Sequence, residues 1–237
     1  MRFVSSLFAV LVFCAPASAS VTYNLTNDFS NASNPNGAWK FAQAAVVETH
    51  FVDSTGNGLD PALANGYWGH SATSYSGSIM KTTANGSADS ASGYSNNDFL
   101  AGDVISHSTN PGDGGTQTVD WIAPFSGTIT YSGSVWYAHS PVTRSNDFVV
   151  NLNGGSALAS GTVTPANTRS NAITFASSGT VVVGAGDVLA LQISPTAGQQ
   201  FGSLSGLAFN IVLTPEPATL SLIACAPLAL IRRRRAN

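Results

Sequence analysis

Leu207-Ala208-Phe209-Asn210-Ile211-Val212-Leu213 is the stretch on which the fold turns. Leu207, Phe209, Ile211 and Leu213 occupy every second position, the period of an extended strand with one face on a core; a helix would space them by three and four. Working outward, Val188 to Ile193 repeats the pattern after the Gly186-Asp187 turn, with Leu189, Leu191 and Ile193 on one face. Phe148, Val150 and Leu152 alternate up to Asn153-Gly154-Gly155, a hairpin signal because tight turns of this kind need residues that tolerate positive φ. Ile129, Tyr131, Gly133, Val135 and Tyr137 share one face of a long strand from Gly127, and Val119 and Trp121 end a strand that Pro124 closes. Further strands are expected at 21–25, 39–52, 99–106, 157–163, 173–175 and 180–183. This many short strands and no persuasive helix predict an all-β fold, an antiparallel two-sheet β-sandwich of jelly-roll type, over residues 20–213. The segment Leu59–Asp98, rich in Ser, Gly, Asn and Tyr, reads as long loops with one or two irregular strands inserted in the same domain.

Composition narrows the function classes. Charged residues make up only 9% of the chain, against roughly 25% in ordinary soluble domains. Five of the nine basic residues, Arg2 and Arg232 to Arg235, lie in the terminal segments. The body keeps Lys40, Lys81, Arg144 and Arg169 against a majority of acidic residues, so it lacks the clustered cations that displace counterions from nucleic acid. No nucleic-acid partner is expected. Both cysteines, Cys14 and Cys225, are also terminal, which leaves the body without disulfides, zinc thiolates or a Cys nucleophile.

The ends carry addresses. Arg2, the apolar run Phe3 to Phe13, and Ala17-Ser18-Ala19 before Ser20 have the order of a secretory signal over 1–19, with Ala17 and Ala19 as the small residues that precede the cleavage position. At the other end, Pro215-Glu216-Pro217 precedes the charge-free segment 218–231 and the arginine run Arg232, Arg233, Arg234 and Arg235. Prolines interrupt regular structure, the apolar segment is expected to form a short hydrophobic helix in the bilayer, and arginines stay cytoplasmic. Fourteen residues with Pro227 among them fall short of the ~20 that span a hydrocarbon core. A temporary hold on the membrane is expected.

This order of Pro-Glu-Pro, apolar helix and arginine cluster over 214–237 resembles the PEP-CTERM sorting signal. The resemblance implies processing by an exosortase-type membrane protease at or near Pro215, Glu216 and Pro217, followed by release to the cell surface or extracellular matrix. A looser resemblance lies in the body. Val119-Asp120-Trp121-Ile122-Ala123-Pro124-Phe125-Ser126-Gly127-Thr128, then Phe148-Val149-Val150-Asn151-Leu152-Asn153-Gly154 and Ala185-Gly186-Asp187-Val188-Leu189, follow an order similar to jelly-roll domains of carbohydrate-binding-module type.

Candidate chemistry is sparse. Glycosidases need two carboxylates flanking a bond. Glu48 is the only glutamate before the tail, and the pairs Asp98 with Asp103 or Asp113 with Asp120 sit in no distinctive frame. Most Asp residues stand beside Gly, Asn or Ser, as turn formers do. His50, His70, His107 and His139 are never closer than twenty residues, too far for a local metal motif. Asp113, in the loop Asn110-Pro111-Gly112-Asp113-Gly114-Gly115, and Asp120 are the candidate ligands of a structural calcium; no other cofactor is expected. Trp39, Tyr67 and Trp68 are the candidate glycan-stacking aromatics, with Tyr67-Trp68 expected to be exposed in its loop, whereas Trp121 and Tyr137 occupy core positions. The expectation is thus a non-enzymatic exported protein whose sandwich binds glycan or exopolysaccharide. A polysaccharide-active enzyme on the same fold and a purely structural coat protein stand as alternatives.

Overall fold

The computed structural model describes residues 19–52, 65–71, 77–86, 97–113, 115–140 and 142–216. Ala17, Pro217, the apolar segment 218–231 and Arg232 to Arg235 lie outside them, and with them most of the export and sorting signals read from the sequence. Among the described residues no helix is long and apolar enough to cross a membrane.

Among the described residues fifteen strands build two antiparallel sheets, in the expected all-β sandwich. The front sheet runs in the order β12 (Ile173–Ala176), β9 (Gly127–Tyr137), β15 (Leu204–Pro215), β7 (Val104–His107), β6 (Ser78–Lys81), β5 (Tyr67–Gly69), β4 (Thr49–Phe51). To this path β1 (Val21–Asn24) adds on β15 and β13 (Val181–Val183) adds on β9. The back sheet runs β11 (Ala157–Val163), β10 (Asn146–Leu152), β14 (Val188–Pro195), β8 (Gln117–Ile122), β2 (Trp39–Gln43), β3 (Val46–Val47). A one-turn helix at Leu25–Asp28 and a 3-10 turn at Arg169–Asn171 complete the regular structure described.

The predicted alternation explains the long strands directly. In β15, Leu207, Phe209, Ile211 and Leu213 are buried, and Ala208, Asn210 and Val212 between them are half-buried. β15 pairs with β9 from Ser205↔Tyr137 to Pro215↔Gly127, which makes this ladder the spine of the front sheet. Facing it across the core are Val119, Trp121, Phe148, Val150, Leu189, Leu191 and Ile193 of the back sheet. Each such side chain contributes roughly 1.5–3 kcal/mol by leaving water. The hairpin from β10 to β11 turns on Asn153 and Gly154 at φ +52° and +68°, the two positive angles that a type I′ turn demands.

Boundaries differ from expectation at several points: β7 begins at Val104 and not at Phe99, and Leu25 opens the one-turn helix instead of closing β1. Pro215 ends β15 instead of standing clear of it, and the Glu216 amide donates to the Ser126 carbonyl at 3.3 Å. Proline is compatible with a strand end, where its missing N–H leaves no rung unmade. The segment expected as one strand over 39–52 is three, because Ala44 takes a positive φ of +53° and turns β2 back into β3.

Strands β5, β6 and β7 are buried on both faces. Trp68, Ile79 and Val104 enter the inter-sheet core, while their neighbours Tyr67, Met80 and Ile105 join Phe99, Trp136, Ala138 and Leu204 in a second apolar cluster on the outer side. A strand buried on both sides loses its polar-apolar alternation. That is why the Leu59–Asp98 segment reads weakly while holding two strands of the front sheet.

Candidate functional site

The same alternation that buries Phe209 and Ile211 presents the intervening residues of β15 and β9 on the outer face of the front sheet. Register sets them in rows across the strands. Asn24, Asn210, Ser132 and Ala176 form one row, and Ala208, Ser134 and Thr174 the next. Between them lies an open trough of about 450 Å³ lined by Ser132, Gly133, Ser134, Thr174, Phe175, Ala176, Ala208 and Asn210. Its lining holds hydroxyl and amide groups and no ionised side chain. Gly133 is required here: a Cβ at this position would meet the Phe175 ring at 2.4 Å and the Ala208 carbonyl at the same distance. Phe175 reaches under β9 to pack on Phe148 and Phe209, which fixes the trough floor to the core. Asn210 Oδ1 accepts from Asn24 Nδ2, so the Asn210 amide is oriented and its own N–H groups stay available as donors. Such a surface offers directional hydrogen bonds to a neutral polyol and no counter-charge to an anion or cation.

The aromatic candidates are not there. Trp39, Tyr67 and Trp68 are 1%, 0% and 5% exposed, which corrects the expectation that Tyr67-Trp68 forms an exposed stacking pair. Trp39 donates through Nε1 to Asp28 Oδ2 and Trp68 to the Ser30 carbonyl, anchoring the first loop over the sandwich. Tyr67 packs 5.6 Å from Phe51 in the outer cluster. Ring faces enclosed in this way have none left for a sugar. Trp121 and Tyr137 are core residues as expected.

The carboxylates are individually engaged. Asp98 and Asp103 do converge, but on Arg169: Asp98 Oδ2 accepts from its backbone N–H at 2.6 Å, and Asp103 takes Nε and Nη2 at 2.8 and 3.1 Å. The guanidinium also lies 5.7 Å from the Trp136 ring, so this cluster clasps the 97–103 loop to the turn at 169–171. Asp120 pairs across the sheet with Lys40 at 2.8 Å, whereas Asp113 offers only its carbonyl, to Gln43 Nε2. Asp113 and Asp120 are therefore tied to different places on β2. Among the described residues no three His, Cys, Asp or Glu gather to hold a metal ion. The two calcium candidates thus share no partner among the described residues.

Sequence reasoning missed two buried polar groups. At one end the inter-sheet space is lined by amides and hydroxyls: Asn146 on β10 donates to Ser205 Oγ and the Ser203 carbonyl on the front sheet and accepts from Ser108 Oγ. Beside them Glu48, 3% exposed, accepts from Gln117 Nε2 at 3.1 Å, and burial holds its carboxyl well above the usual carboxylate range, an effect the Gln117 bond only partly opposes. The second is His107 with His139, ring centroids 6.4 Å apart. Burial lowers His107 to about 4, aided by Arg144, and lowers His139 to about 3, aided by His107 and Arg144. Their 32-residue separation in sequence hides the pairing, which only the return of β9 beside β7 through β15 creates.

No family model matches the chain, and no curated protein does. Among solved structures the chain is similar to a family 35 carbohydrate-binding module from Clostridium thermocellum, at TM-score 0.31 and 9% identity over 82% of this chain and 98% of that one. It is similar also to the CBM35 from Paenibacillus barcinonensis, at TM-score 0.27 and 14% identity over 80% and 97%. A third is the C-terminal CBM6 of LamC from Zobellia galactanivorans, at TM-score 0.27 and 18% identity over 46% and 78%. Likenesses this distant carry no argument about the ligand of this chain; the fold stands on its own strand pairing.

Proposed function

We propose that this chain is an exported, non-catalytic β-sandwich that binds neutral glycan, with exopolysaccharide as the ligand class, along the front-sheet trough. The observation that carries the reading is the trough itself: open, uncharged, and lined by Ser132, Ser134, Thr174 and Asn210 on a rigid ladder. Sugars present dense hydroxyl groups without charge, and hydroxyl and amide side chains can donate to and accept from them. Strand-borne side chains hold these groups in fixed spacing, which limits the entropy lost on binding.

Delivery follows from the ends. The leader over 1–19 exports the chain, and the Pro215-Glu216-Pro217 tail holds the precursor in the membrane until an exosortase-type protease releases it to the surface or matrix. Nothing favours the polysaccharide-degrading alternative over this one, since Asp103 and Asp120 are each engaged by a cation, Asp98 accepts from the Arg169 backbone N–H and Glu48 is enclosed.

Affinity electrophoresis of the secreted protein through gels containing neutral exopolysaccharides tests the binding. Retardation by at least one neutral polymer, without release of reducing ends, is expected. Uniform mobility across the panel would remove the glycan reading.

A further inference from the structure

Sheet edges are where chains associate unless something prevents it. An edge strand exposes unpaired N–H and C=O groups, and proteins protect such edges by keeping them short or by placing charges and prolines on them. Most edges of this molecule obey the rule. β3 has two residues, β4 three, β13 three and β12 four. β11 does not. It is seven residues long, contains neither charge nor proline, and among the described residues pairs only with β10. No ionised side chain occurs anywhere from Phe148 to Thr168.

The ladder with β10 shifts register at Leu158, so the regular part of this edge is Ala159–Val163. Val163 is buried and Ala159 packs against the core, while Ser160 and Thr162 on the opposite face are exposed. Among the described residues no backbone hydrogen bond from another element reaches the free side of this segment. We propose that β11 is a homotypic docking edge: two copies of this chain pair antiparallel along Ala159–Val163 and extend the back sheet across a two-fold axis. A second copy suits this edge because a two-fold contact sets each patch against itself. Any charge there would face its like, and this edge has none.

The same geometry sets the register. Side chains must keep their faces, and full overlap of the five residues requires Gly161 opposite Gly161. Ser160 then lies opposite Thr162 of the second copy. Cβ atoms directly opposite in an antiparallel pair are about 4.5–5.5 Å apart, close enough for a disulfide after small adjustment. This contact is on the back sheet and does not depend on glycan binding by the front sheet.

The test uses the full chain with Cys14→Ser and Cys225→Ser, carrying either Ser160→Cys or Thr162→Cys. Mixing the two single-cysteine proteins under mild oxidation should give a covalent dimer at least tenfold faster than either alone. Sedimentation of the unmodified protein should show a monomer–dimer equilibrium that Ser160→Lys shifts toward monomer while the circular dichroism spectrum is unchanged. A mixture that cross-links no faster than the separate variants overturns the proposal. So does a monomer at every concentration, including in the presence of an extended peptide that pairs with the edge instead.

Discussion

Glu48 and the two inner histidines place opposite demands on the pH of the surroundings. Glu48 titrates higher in the fold than its ordinary value of 4.5, so its contribution is complete below that pH and is lost as pH rises toward the folded value. His107 and His139 titrate lower than 6.5, so their contribution is complete above it and is lost as pH falls toward about 4 and about 3. From 4.5 upward the Glu48 slope opposes that of the histidines, whose own slope ends at 6.5. Urea denaturation of the native protein should therefore show a Glu48 limb along which stability declines as pH rises above 4.5. Glu48→Gln, which keeps the amide-pairing shape without an ionisable proton, should flatten that limb and raise stability at neutral pH by roughly 1–3 kcal/mol. An unchanged alkaline limb in the variant would show that Glu48 is not its source.

At the scale of elements, the front sheet depends on close approaches that only glycine allows. Trp136 lies flat over Gly206, where a Cβ would stand 1.9 Å from the indole. Gly206→Ala must push Trp136 out of the outer cluster and should cost about 1–3 kcal/mol, read as a lower midpoint in thermal unfolding with loss of near-ultraviolet signal. Retained midpoint and signal would mean that the indole is free to move. The same cluster marks the limit of what periodicity could tell. β9, β10, β14 and β15 were legible because one face of each meets the core and the other does not, as Phe209 beside Asn210 illustrates. β5 and β6 were hidden because strands enclosed on both sides lose their alternation, as Tyr67 and Trp68, buried on opposite faces, illustrate. The trough was hidden for a different reason. Ser132, Ser134, Thr174 and Asn210 are ordinary outward residues, and only the register of β9 against β12 and β15 brings them together.

At the scale of the molecule, the two sheets divide the work. The front sheet offers a neutral hydroxyl and amide surface, and the back sheet keeps the Lys40–Asp120 pair and Asp147, which accepts from Thr162 and Thr196. Under the proposed glycan reading, joining two copies through the back sheet would leave both troughs available, so avidity could exceed single-site affinity by about 10²–10⁴. The central claim is that the trough holds the glycan. Its most direct test is isothermal titration of a bound neutral oligosaccharide into the native protein and into Ala208→Trp, which fills the trough from the half-buried outer face of β15 without entering the core. Loss of at least tenfold in affinity with unchanged unfolding temperature is the predicted result; equal affinity in the two proteins would contradict it.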